Sequence, residues 1–186
     1  STIMVTLFGV PWWTLLSAGT QWPGAVVVAG SLVFLAAFVA LPAAVIAGHG
    51  PRHRDWAARI GDALRGVVWV LFVWSVLSLL LRLGLLASGV EDPLRARVVA
   101  ASVLVVVAVL LVWGYVEAMR VPRIKNVDVR ISRLGGGLDG LRVVMITDTH
   151  YGPIDRARWS AAVAERVNSL DADIVCHVGD LADGAV

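Results

Sequence analysis

No Lys, Arg, Asp or Glu occurs before Arg52 in this chain. An uncharged run of that length has few places to go. A bilayer core about 30 Å thick is crossed by about 20 apolar helical residues. Gly24 to Ala47 supplies one such stretch. Val67 to Leu86 supplies a second, interrupted only by Arg82, and Val98 to Val116 a third. With 58% hydrophobic residues and a mean hydropathy of +0.79, the chain is more apolar than an ordinary globular domain. Residues 1–120 are therefore read as a transmembrane region with spans at about 24–47, 67–86 and 98–116. Residues 121–186 read as a soluble α/β segment.

Residues 2–18 are apolar, but Pro11 interrupts them and Trp12-Trp13 follows. Aromatic residues favour the membrane–water interface. This stretch is expected to be an interfacial segment or a partial span. No charged region precedes it, which argues against a secretory signal peptide.

Charge sets the expected orientation. Arg52, Arg54, Arg59 and Arg65 fall between the first two spans, and Arg120, Arg123 and Lys125 follow the third. The remaining loop is balanced, with Glu91 and Asp92 against Arg95 and Arg97. The positive-inside rule places the arginine-rich loop and the C-terminal segment in the cytoplasm of a multi-pass protein of the cell membrane. Arg82 lies near the end of its span, where a long side chain can snorkel to the headgroups. Trp22, Trp69 and Trp113 suit an aromatic belt at span ends, and Trp74 suits packing. His49 and His53 are separated by Gly50 and Pro51, which oppose the helix needed to put them on one face. They read as a membrane-edge loop. No basic face interleaved with aromatics points to nucleic acid. Cys176 is the single cysteine, which excludes an intrachain disulfide, and it reads as a small buried strand residue.

The C-terminal segment changes period. Val127, Val129 and Ile131 alternate with Asp128, Arg130 and Ser132, which predicts a half-buried strand over 126–134. Glycines at 135–137 and Asp139-Gly140 mark a turn. Leu141 to Thr147 reads as a more fully buried strand. Asp155 is placed to cap a helix whose apolar stripe is Trp159, Val163, Val167 and Leu170, leaving Arg158, Glu165 and Arg166 for solvent. Ile174 to Val178 is the next apolar run. The order predicts a βαβ unit with parallel strands and a right-handed crossover.

Open α/β sheets build their sites beyond the carboxyl ends of the strands. Asp148 and His150 follow the first of these strands, and Gly179-Asp180 follows the second. Carboxylate and imidazole together suit Mn, Fe or Zn better than Mg or Ca. On an extended backbone, Asp148 and His150 would lie on one side and reach one ion. Asp180, one strand away, would bridge that ion to a second. Two ions about 3.5–4 Å apart can activate a water and stabilise the leaving oxygen of a phosphate ester. Taken singly, Asp-x-His is better explained by a loop and a helix cap, and Gly-Asp alone is a weaker signal still. The full order of strand, Asp-x-His, helix, strand and Gly-Asp is more specific, because it predicts convergence in space.

The stretches Leu138 to His150, Val167 to Leu170 and Val178 to Gly184 resemble the calcineurin-like metallophosphoesterase superfamily. The resemblance covers about a quarter of the chain. It is closest to a bacterial branch that carries several membrane helices ahead of the phosphoesterase domain. It implies an α-helical membrane region followed by the start of an α/β domain, of the α/β/β/α sandwich type. It implies two divalent metal ions, with Asp148 and His150 on one and Asp180 bridging both. It also implies hydrolysis of a phosphomonoester, phosphodiester or pyrophosphate, lipid-linked phosphates included, and partnership with the lipid bilayer. The family pattern continues with Gly-Asn-His-Asp/Glu, a further His and Gly-His-x-His. None of these follows Asp180, so the catalytic histidine is expected beyond Val186. The chain thus reads as an N-terminal fragment, inactive alone. The competing expectation is a non-catalytic membrane scaffold that carries half of such a domain. A transporter is disfavoured by the scarcity of polar groups in the spans.

Overall fold

A computed structural model describes residues 2–51, 54–133, 135–151 and 157–182. The chain divides into two compact units, Ser1–Tyr115 and Val116–Val186.

The described residues of the first unit are mostly helical. Lipid offers no hydrogen-bond partner to a backbone amide, so an apolar chain must satisfy its amides internally. Helix α1 (Thr2–Trp12) runs on through a π-helical turn, Trp13–Ser17. Helix α2 is Gly24–His49, α3 is Asp55–Ala87 and α4 is Leu94–Ala118. Three of these, α2, α3 and α4, are long and apolar enough to cross a membrane. Their outward faces carry exposed large apolar side chains such as Leu35, Val39, Leu80 and Val105. A continuous apolar exterior of this kind marks a membrane-facing surface.

Residues 2–17 pack against the other helices. Phe8 of α1 is buried with Leu41 of α2 and Val68 of α3, and its ring meets Phe38 edge-on at 5.4 Å. Leu15, in the π-helical turn, is buried with Ala100, Val103 and Val107 of α4, and Trp74 packs against this cluster. Helix α3 begins at Asp55, so Arg59 and Arg65 stand on a helix and not in a loop. Its early turns are ordered by contact with α2. Ala57, Ala58 and Gly61 of α3 are buried, as are Ala44 and Gly48 of α2. This is an Ala-x-x-x-Gly seam on each helix, and small residues let two backbones approach closely. A methyl group at Gly48 would run into the Ala58 backbone, and one at Gly61 would lie 3.1 Å from the Val45 nitrogen. At the same end, His49 Nε2 lies 3.1 Å from Asp62 Oδ1, and Arg65 lies 3.6 Å from that oxygen. His49 is therefore tied to α3. Arg52 and His53 lie outside the described residues.

The opposite end is held by arginines. Arg82 does not simply reach for headgroups. It donates to the Ala18 carbonyl at 2.8 Å, lies 3.5 Å from Asp92 Oδ2 and stacks over Trp13 at 5.3 Å. Arg95 donates to the same Asp92 oxygen at 2.8 Å. Arg97 donates to the carbonyls of Thr20 and Gln21 and covers the Trp22 ring. The carbonyls of 18–21 lack a continuing helix, so cationic donors supply what the backbone cannot. Gly19, at a φ of 85°, lies so close to Asp92 that a side chain would strike its carboxylate.

In the second unit, residues 121–133 are irregular, not the strand expected over 126–134. Val127, Val129 and Ile131 are exposed. A strand needs a neighbouring edge to satisfy its backbone, and the described sheet has two strands, β1 (Val143–Thr147) and β2 (Ile174–Val178). They pair in parallel, with Val143 opposite Ile174 and Thr147 opposite Val178. Helix α5 (Ala157–Asn168) connects them. Val163 is buried, Trp159 and Val167 are half-buried, and Arg158, Glu165 and Arg166 face solvent, as the periodicity predicts. Asp155 lies outside the described residues. β1 is more open than its apolar run suggests: Val143 and Met145 are exposed, because among the described residues the sheet is narrow. Cys176 is half-buried for the same reason.

Two outcomes follow. Gly48→Leu should overpack the α2–α3 seam and lower stability by about 1–3 kcal/mol, read as an earlier unfolding midpoint in a detergent titration. The second concerns pH. The hydrogen bond from Arg95, then the charges of Arg95 and Arg82, hold the Asp92 carboxyl below its usual value against the opposing effect of desolvation. A depressed carboxylate contributes stability above its unfolded value of about 3.9, lost as pH falls through the folded value. Thermal midpoints measured below about pH 4 should therefore fall less steeply in Asp92→Asn than in the unaltered protein.

Candidate metal centre

The site is built on the carboxyl ends of β1 and β2. Parallel pairing in register brings both ends to one edge, and the ladder continues past the strands. The Asp148 amide donates to the Val178 carbonyl at 3.1 Å, the His150 amide to the Asp180 carbonyl at 3.2 Å and the Tyr151 amide to Leu181 at 2.9 Å. Tyr151 and Ala182 form a further parallel bridge. The two loops that carry the candidate ligands thus run side by side, pinned by their own backbones.

Asp148 and Asp180 meet directly, with the Asp180 amide donating to Asp148 Oδ1 at 3.3 Å. Gly179 makes this approach possible. Its φ is 78°, and any side chain there would collide with the Asp148 carboxylate. Asp148 and His150 themselves have φ values of 51° and 45°. Left-handed backbone is costly for residues other than glycine and clusters at functional sites. The extended geometry expected for Asp148-Thr149-His150 is therefore replaced by a twisted one, and alternation along a strand does not set where the two side chains point.

Thr149, between the two candidate ligands, is 1% exposed. Its hydroxyl donates to the Leu181 carbonyl at 3.0 Å and lies 3.0 Å from His177 Nε2. A hydroxyl has one proton to give. With Leu181 taking it, His177 carries its own proton on Nε2 and donates to Thr149. His177 is exposed and hydrogen-bonds the residue between the two candidate ligands. The Gly179 and Thr149 roles had faint signals in the sequence: a glycine immediately after an apolar run, and a β-branched hydroxyl between two ligand types.

The Asp148 and Asp180 residues and His150 are all exposed. Among the described residues, no group of three or more His, Cys, Asp or Glu side chains gathers closely enough to hold a metal ion. What the fold brings together is the pair Asp148 and Asp180, with the His150 backbone beside them. The residue types offered at this edge are two carboxylates and an imidazole.

Parts of the chain are similar in sequence to known proteins. A zebrafish (Danio rerio) transmembrane protein with metallophosphoesterase domain is 34% identical over 137 residues, covering 70% of this chain and 31% of its own length. A bovine (Bos taurus) protein of the same name is 30% identical over 103 residues, 55% of this chain and 23% of its own. An uncharacterized metallophosphoesterase of Campylobacter jejuni is 30% identical over 119 residues, 62% of this chain and 30% of its own. No protein-family model matches the chain, and no solved structure does. This chain is related to the metallophosphoesterase superfamily. A match over 70% of the chain is too long to fit within Val116–Val186, so it reaches into the helices. The chain spans about a third of the length of the curated relatives it matches, or less.

Gly179→Ala should separate Asp148 from Asp180. The expected loss exceeds about 1 kcal/mol, because a side chain is placed at positive φ against a carboxylate. Amide exchange at Asp148, His150 and Tyr151 should accelerate, while exchange in α2 and α3 stays unchanged.

Proposed function

We propose that this chain contributes the membrane anchor and the first metal ligands of a metal-dependent phosphoesterase. The observation that carries the reading is the contact between Asp148 and Asp180 across two parallel strand ends. Similarity to metallophosphoesterases supports the same reading. Asp148, His150 and Asp180 would be the ligands this chain offers to divalent ions such as Mn, Fe or Zn. When bound, such ions supply an activated water and stabilise negative charge on a phosphate ester. The residues of this chain do the positioning. Gly179 admits Asp148 to the Asp180 amide, which fixes one carboxylate oxygen and leaves the other for a ligand role. Thr149 ties the Asp148 loop to Leu181 and His177. Their exposure leaves the edge open to a substrate phosphate.

The positive-inside pattern supports a cytoplasmic face for the second unit. Attachment to membrane-length helices would suit a phosphate ester carried on a lipid, because tethering raises its local concentration.

In the full-length protein, hydrolysis of a generic aryl phosphate should rise on addition of Mn. Asp148→Asn and Asp180→Asn should each lower it by about a hundredfold, the upper range for disturbing even a ligand's supporting partner. Unchanged turnover in both variants would remove these residues from the site and favour a scaffolding role.

A further inference from the structure

Directly beyond α4, the chain forms an open pocket of about 460 Å³ lined by Glu117, Arg120, Pro122, Arg123 and Trp159 among others. Its back is fixed by the Trp159 indole, which donates to the Arg120 carbonyl at 2.9 Å. The same ring meets Tyr151 edge-on at 6.2 Å. We propose that this pocket binds the phosphate headgroup of an anionic phospholipid.

Position comes first. Helix α4 ends at Ala118 and is one of the membrane-length helices. Its 25 residues rise about 37 Å at 1.5 Å each, against a hydrocarbon core of about 30 Å. The residues that follow it therefore emerge among headgroups. An amphipathic indole such as that of Trp159, bonded to the Arg120 carbonyl, suits the interface.

Charge comes second. Between Glu117 and Arg133 there are five basic residues, Arg120, Arg123, Lys125, Arg130 and Arg133, against Glu117 and Asp128. All five are exposed. Arg120 already answers Glu117, at 3.2 and 3.3 Å from its two oxygens, so that carboxylate is neutralised within the pocket. Arg123 has no carboxylate within ion-pair reach among the described residues, and neither do Lys125, Arg130 or Arg133. A planar guanidinium offers paired donors that match phosphate oxygens. Basic clusters directly after a membrane helix attract anionic lipid in this way. Nothing in this assignment depends on hydrolysis at the metal edge.

The test is native mass spectrometry of the whole chain released from detergent in an equimolar mixture of phosphatidylglycerol and phosphatidylcholine. Both lipids carry a phosphate, and only the first is net anionic. The protein should retain phosphatidylglycerol in preference. Arg123→Gln, which leaves the Glu117–Arg120 pair intact, should weaken retention about fivefold, and Arg120→Gln with Arg123→Gln roughly thirtyfold. Arg123→Lys should keep most of the preference, which separates lost charge from lost folding. Equal retention of the two lipids, or full retention in the double variant, would overturn the proposal. So would displacement of phosphatidylglycerol by equimolar inorganic phosphate, which would assign the pocket to a free anion.

Discussion

An amide in lipid has no water to bond. That constraint dictates helices for the first unit, and it also removes the usual force that would press them together, because lipid tails are as apolar as leucine. What holds the helices must then be close approach and a few polar ties. Both are visible. Ala44 and Gly48 let α2 reach the Ala57, Ala58 and Gly61 face of α3, and His49 closes that end against Asp62. At the other end, Arg82, Arg95 and Arg97 gather Asp92 and the open carbonyls of residues 18–21. Charges near a membrane are expensive unless paired, and Arg82, Arg95 and Arg97 each have a defined partner. The arginine that looked like a lone snorkelling residue is part of the clasp that joins the first helix to the third.

The second unit solves the opposite problem. In water, a backbone can be solvated, so order must be gained by pairing and burial. Two parallel strands and one helix achieve this in part, and the most constrained region is not the middle of the sheet but its carboxyl edge. There, the ladder runs on through Asp148, His150 and Tyr151, and positive φ values at Asp148, His150 and Gly179 turn the loops toward each other. Backbone strain concentrated beside exposed acidic residues is the arrangement expected of a site, since strain persists only where surrounding bonds enforce it.

The two units share a logic of small residues at close approaches. Gly48 admits a helix, Gly19 admits the Asp92 carboxylate, and Gly179 admits the Asp148 carboxylate. In each place the missing side chain is what permits the polar or backbone contact. Similarity to a transmembrane protein with metallophosphoesterase domain is too long to fit within either unit alone, so it extends into both.

Apolar length alone determined the three membrane-length helices, because a bilayer imposes one minimum span on any sequence. The shift from helical to alternating period likewise marked β1, α5 and β2, and it put Asp148, His150 and Asp180 at strand ends. Tertiary structure decided the rest. Whether Arg82 faced lipid or Asp92 depended on a loop ten residues away in sequence and on the Ala18 carbonyl 64 residues away. Whether 126–134 became a strand depended on a free sheet edge, and no alternation of Val and Arg can supply one. Whether Thr149 was a spacer or a buried tie depended on His177 and Leu181. Local pattern records which face of a segment prefers water. It carries no record of which distant atom will meet that face, and hydrogen bonds and ion pairs are made with atoms.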